Sequence, residues 1–174
     1  VSYSRRRIGI VYDRQEFPYS PSRADHVDFW ACDALALPFK PQTFSFGIAL
    51  NLLDCVSSPV DLLKSIGCVL SPHGKLVLTT PFDWSAVATS VEAWIGGHSQ
   101  RTPAKGAPEM SLRTLIVGGP AVGLPEMTIV AEQDSITWDV RLHDRAIVSY
   151  RMHLIIAEKA GPGLAISSES KLDH

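Results

Sequence analysis

Three apolar runs in this chain end abruptly on polar residues. Asp33 follows VDFWAC, Asn51 follows FSFGIAL, and Thr80-Pro81-Phe82-Asp83-Trp84 follows KLVL. In an open parallel sheet the crevice outside the carboxyl ends of the strands is where ligands bind. Each ending taken alone reads as a turn or cap residue, but three in succession describe a ligand site. Other chemistries lack their residues. There is no G-x-S-x-G elbow to offer a hydrolase nucleophile and no G-x-x-x-x-G-K-[ST] loop to cradle phosphates. The glycine cluster 118–123 is opposed as a helix start by Pro120 and Pro125, so it reads as a turn. His98, His143 and His153 match no metal-ligand spacing, and the last two fall on an expected hairpin edge. They read as surface or hydrogen-bonded histidines. Cys32, Cys55 and Cys68 form no C-x-x-C pair, and two of them lie in apolar surroundings, which predicts reduced, buried thiols in a cytosolic protein.

The elements that must position these endings follow from periodicity. Short apolar runs predict buried parallel strands at 27–32, 44–50 and 75–80. Between the last two, Ser58 can cap a helix with Pro59 at its first position and Asp61 at the positive end of its dipole. Leu62, Leu63, Ile66, Val69 and Leu70 share one face of that helix, and Ser71-Pro72-His73-Gly74 stops it. Strand–helix–strand is a parallel crossover, and apolar strands of this kind need helices on both faces. Thr89 and Glu92 have the spacing of a capping box, with Gly96 as the C-terminal residue. Residues 98–109 read as a polar, flexible connection, and 112–117 as a short helix ended by Gly118-Gly119. Trp138, Val140 and Leu142 then alternate with polar residues, a turn falls near Asp144-Arg145, and a long run follows to 158. This predicts an antiparallel hairpin across 136–158. Residues 1–26 read as irregular apart from a strand candidate at 8–12, with a loop marked by Pro18 and Pro21. The tail 161–174 reads as disordered.

At 174 residues, with 16 basic against 18 acidic side chains and a net charge of -2, the chain fits one domain, here at 27–160. That balance excludes nucleic-acid binding by bulk electrostatics. Arg5, Arg6 and Arg7 are the only basic run and read as solvated. No apolar run approaches the ~18 residues of a membrane span, and no secretion signal is visible, so a cytoplasmic protein without membrane partners is expected. The chain opens on Val1, from which a cut N-terminus is expected.

The stretch CDALALPFKPQTFSFGIALNLLDCVSSPVDLLKSIGCVLSPHGKLVLTTPF resembles the second half of a Rossmann-like (class I) S-adenosylmethionine-dependent methyltransferase. In that family an acidic residue, a small residue and then L-P-F end the third strand, and a P-G-G-like turn precedes the fifth. The sheet closes with one antiparallel strand. The resemblance covers roughly 27–158 and implies a three-layer α/β sheet with a terminal hairpin. It implies S-adenosylmethionine as cofactor, with Asp33 and Ala34 at the adenine and Asn51 and Leu52 bordering the methionine end. Pro81-Phe82-Asp83-Trp84 and Trp94-Ile95-Gly96-Gly97 are similar to an insertion in methyltransferases acting on mercaptohistidine-type substrates, which implies a substrate lid. His73 stands where the family has glycine. The larger departure is the family's glycine-rich first loop and the acid ending its second strand. Only 32 residues precede Asp33 and Gly9 is their only glycine, so the N-terminal half of the sheet is incomplete.

The resulting expectation is methyl transfer to a small-molecule acceptor, by a fragment of a longer enzyme. Asp83 and His98 are the candidate bases, and Trp84 and Trp94 shape the substrate pocket. The rival is a non-catalytic interaction module that kept the sheet and lost the cofactor. These residues are expected to bind the cofactor poorly, and to be marginally stable or to self-associate through an exposed sheet edge.

Overall fold

The structure, a computed structural model, describes residues 1–18 and 24–161. Pro21 of the expected loop and nearly all of the expected disordered tail, 162–174, lie outside the described residues.

The crossover forms as its sequence dictates. Strand β3 (Phe44–Leu50) leads through a short 3-10 turn, Leu53–Cys55, to helix α1 (Pro59–Val69) and then strand β4 (Leu70–Thr80). At the start of α1 the Ser58 hydroxyl accepts from the Asp61 N–H at 3.3 Å, satisfying one of the helix's free amide donors. At its end the Lys159 ammonium donates to the carbonyls of Gly67 and Leu70, placing a cation at the negative end of the dipole. His73 has φ +61°, a conformation glycine adopts at no cost.

Helix α2 (Pro108–Gly118) follows, starting four residues before the expected 112, with Pro108 in its first turn. Strands β5 (Met127–His143) and β6 (Ala146–Lys159) then make the hairpin, turning at Asp144-Arg145 as the alternation predicts. In the four-stranded sheet the order is β3-β4-β6-β5, with β3 and β4 parallel and the other neighbours antiparallel. A mixed α/β sheet with a terminal antiparallel hairpin is therefore the observed class. Because β6 lies between β4 and β5, His153 is not on an edge: it is 4% exposed, beside Thr80 in register.

Pairing puts Gly47, Ala49, Leu76, Leu78, Ile155 and Ala157 on one face of this sheet. On that face α1 contributes Leu62, Leu63 and Ile66, and α2 contributes Leu112 and Ile116, to a single core. A bidentate ion pair, Arg113 to Glu132 at 2.7 and 3.1 Å, fastens α2 to β5. The opposite face carries Phe46, Ile48 and Leu50, each more than half exposed. Of the three layers expected, the described residues thus fill two, the sheet and the helices on one side.

Several local expectations are corrected. Residues 27–32 are not a strand: they have no regular secondary structure and no ladder partners among the described residues, with Phe29 94% and Trp30 64% exposed. An apolar run becomes a strand only where another strand accepts its hydrogen bonds, and none does among the described residues. The segment is held by aromatic edges instead, Trp30 on Phe39 at 5.5 Å and Phe39 on Phe44 at 5.0 Å. Residues 1–26 are not irregular: β1 (Ser2–Ile8) and β2 (Val11–Glu16) form an antiparallel hairpin, and the strand candidate at 8–12 straddles its turn at Gly9-Ile10. The hairpin rests against the β5–β6 turn, where the Asp144 N–H donates to the Arg7 carbonyl at 2.8 Å. All three cysteines are exposed, so none is a buried thiol. The capping box at Thr89 does not form, because the buried Thr89 hydroxyl donates to the Val56 carbonyl at 2.6 Å.

Candidate functional site

The site assembles where β3 and β4 end. Asn51 leaves β3 with φ +52°; its N–H donates to the Thr79 carbonyl at 2.8 Å, and its side-chain oxygen accepts from the Thr79 hydroxyl at 2.9 Å. This clamp turns the chain into the 3-10 turn, which buries Leu53 completely and Asp54 to 3% exposure. On the neighbouring strand, Phe82 has φ +54° and its N–H donates to the Thr80 hydroxyl at 3.0 Å. That kink aims the next amide back across the strand ends, so the Asp83 N–H donates to Asp54 Oδ2 at 2.9 Å. Asp54 Oδ1 is buried with no hydrogen-bond partner among the described residues.

The far wall comes from the hairpin. Trp138 on β5 faces Tyr150 on β6 in register, and their rings stack at 5.5 Å. Together with Asn51, Asp54, Cys55, Pro81, Asp83 and Val140 they line a cavity of about 210 Å³. No Lys, Arg or His is among its lining residues. Burial pushes the Asp54 carboxyl up from its ordinary range, and the Asp83 charge adds to that, against the lowering effect of nearby hydrogen-bond donors. Loss of solvent, then the charges of Asp83 and Asp54, push the Tyr150 phenol up. The same causes raise the Cys55 thiol.

Of the residues singled out from sequence, the structure brings Asn51 and Asp83 into this one cavity. Asp33 is exposed, with one carboxylate oxygen taking the Leu35 N–H at 2.9 Å in a tight turn. Ala34 and Leu52 both pack against the main core. Trp84 and Trp94 stack on each other at 6.1 Å, and Trp94 Nε1 donates to the Thr89 carbonyl at 2.9 Å; neither lines the cavity. His98 is exposed, its Nδ1 3.3 Å from the Gly96 carbonyl, and it is outside the cavity too. Among the described residues no group of three or more His, Cys, Asp or Glu side chains could hold a metal ion. Sequence reasoning missed Asp54, Trp138 and Tyr150. Asp54 was findable as a charge inside the apolar run LNLLDC, whereas the two aromatic residues meet only through sheet register.

The methyltransferase domain family model matches residues 10–78. The match covers less than half of the chain. The matched segment begins well before residue 27 and takes in β2, which in this structure pairs with β1 outside the four-stranded sheet. A search of curated proteins finds no relative. Solved structures similar to the chain include an S-adenosylmethionine-dependent methyltransferase from Methanosarcina mazei, at 18% identity and TM-score 0.48, over 75% of this chain and 66% of that one. Another is the [4+2]-cyclase SpnF, at 17% identity and TM-score 0.49, over 80% of this chain and 59% of that one. The chain thus spans less than two thirds of the length of either structure.

S-adenosylmethionine is the cofactor that a methyltransferase domain implies. Of the residues expected at its adenine end, Asp33 presents an exposed carboxylate beside the small Ala34, with one oxygen already accepting the Leu35 N–H. The glycine-rich approach to the rest of the molecule has no counterpart among residues 1–32.

Proposed function

We propose that this domain takes part in methyl transfer from S-adenosylmethionine to a small-molecule acceptor, as part of a longer cytoplasmic enzyme. The observation that supports this reading most is the convergence of Asn51, Asp54 and Asp83 on one cavity at the strand ends of a domain with a methyltransferase family match. Bound there, the cofactor supplies an electrophilic methyl group. Asp33 and Ala34 would hold its adenine, and Asn51 and Leu52 would border its methionine end. The chain's own task is then to align the acceptor and keep water out, which is most of what such a displacement requires.

Asp54 is placed to move a proton. It is buried, its carboxyl is pushed upward by that burial, and the Asp83 amide holds it in one orientation. Because His98 stands outside the cavity, the base role falls to Asp54 with Asp83 beside it. Trp84 and Trp94 brace the loop that carries Asp83, which is how they would support a lid. The rival reading, an interaction module without a cofactor, draws on the apolar face and the outer edge of β3, which among the described residues are uncovered and unpaired, and through which copies of the chain would associate.

Calorimetric titration with S-adenosylhomocysteine tests the proposal. Each absent charge-assisted hydrogen bond costs about 1.5–3 kcal/mol, so these residues alone should bind weakly, in the millimolar range, and Asp33→Ala should abolish what binding remains. Binding unaffected by Asp33→Ala removes the assigned adenine contact. No binding even after a glycine-rich strand and loop are supplied upstream favours the interaction module.

A further inference from the structure

Resting on the methyl-transfer reading, we propose that the cavity between Asp54, Asp83, Trp138 and Tyr150 binds an organic ammonium group, so that the acceptor class is a cationic amine. The cavity offers two carboxylates, one phenol and a stacked aromatic wall, with no cationic side chain among its lining residues to balance them. An isolated pair of carboxylates in a turn would be unremarkable, but Asp54 is only 3% exposed, lines the cavity, and has an oxygen, Oδ1, with no hydrogen-bond partner among the described residues. A buried acceptor left unpaired is unfavourable, and a ligand that donates an N–H to it removes the penalty. The other wall favours the same ligand. The faces of Trp and Tyr rings attract cations, Trp most strongly, and aromatic walls of this kind recognise alkylammonium groups. Anionic head groups meet two carboxylates at close range, and neutral alcohols leave the charge unbalanced.

Size sets the scope of the contact. At about 210 Å³ the cavity falls below the ~300–1,000 Å³ of sites that enclose a drug-sized ligand, so it takes the ammonium head and leaves the rest of the molecule outside. A metal ion is a poor occupant, because no group of three or more His, Cys, Asp or Glu side chains among the described residues could hold one.

Benzylammonium is a suitable probe, with benzyl alcohol as its neutral isostere. Titration of this chain, followed by calorimetry and by the Trp138 indole resonance, should show benzylammonium binding at least tenfold tighter than benzyl alcohol. Asp54→Asn keeps an oxygen to accept the Asp83 N–H and should weaken benzylammonium at least tenfold; Trp138→Leu should weaken it about fivefold. Asp83→Asn, at an exposed position, gives the same reading should the Asp54 variant fold poorly. Equal affinity for the two probes, or benzylammonium affinity unchanged in both carboxylate variants, overturns the proposal. The outcome separates cleanly from the methyl-transfer reading. If S-adenosylhomocysteine binds and benzylammonium does not, the ammonium site is wrong; if benzylammonium binds and the cofactor product never does, the site stands and the methyl-transfer reading falls.

Discussion

The two faces of the four-stranded sheet are built from the same strands and end in opposite conditions. On one face Leu76, Leu78, Ile155 and Ala157 are buried to within 1% exposure beneath α1 and α2. On the other, Phe46, Ile48 and Leu50 stand 51%, 62% and 58% exposed, although they are just as apolar. Residue type does not separate the two rows. What separates them is the presence of an amphipathic helix within reach, and both helices come from connections on the same side. A continuous apolar strand therefore announces that two covers are wanted, and says nothing about whether both are supplied.

The largest expected effect sharpens this contrast. Leu78→Ala, on the covered face, leaves a cavity that α1 cannot fill and should destabilise the fold by about 2–5 kcal/mol in denaturant titration. A loss below 1 kcal/mol would show that the helices pack loosely on the sheet. Next in size is the helix that makes the cover. Ser58→Ala removes the hydroxyl that accepts the Asp61 N–H and should cost about 1 kcal/mol by the same measurement. Removal of an unused cap would cost nothing, and that result would detach α1 stability from its N-terminus.

The third prediction concerns the charge buried at the rim of the covered face. The folded-state pKa of Asp54 is raised, so its favourable contribution is complete below the unfolded value near 4 and is lost as pH rises through the folded value. Asp54→Asn should then raise the melting temperature relative to the parent at pH 7.5, with the advantage shrinking as pH falls towards 4. An advantage of the same size at both pH values would mean that ionisation of Asp54 costs the fold nothing. The smallest stability effect belongs to the open face: Ile48→Thr should change stability by less than about 0.5 kcal/mol. The same substitution should lower any concentration-dependent association seen by sedimentation, because it removes exposed apolar surface beside an unpaired edge. A loss of several kcal/mol there would mean that this face is covered after all.

Legibility followed the range of the forces involved. The helix from Pro59, its Ser58 cap and the Asp144-Arg145 turn were readable because each depends on residues within a few positions of one another. Residues 27–32 misled because VDFWAC has the composition of a buried strand, while strand formation needs a partner that its own residues cannot supply. Thr89 misled for a related reason: its hydroxyl found the Val56 carbonyl, 33 positions away, in preference to the local amide. At the site, Asn51 and Asp83 were legible as polar strand endings. Asp54 was overlooked inside an apolar run.

By itself the sequence determined the parallel crossover between 44 and 80, the second helix, the closing hairpin and the polar strand ends. Propensity, capping and periodicity act over a turn or two of chain, and the sequence carries them in full. Only the tertiary structure decided which sheet face is covered, that Asp54 is the buried carboxylate, and that Trp138 meets Tyr150 to close a cavity opposite it. Those outcomes depend on strand register and on what packs over each face, and a register shift of one residue would send every side chain to the opposite face.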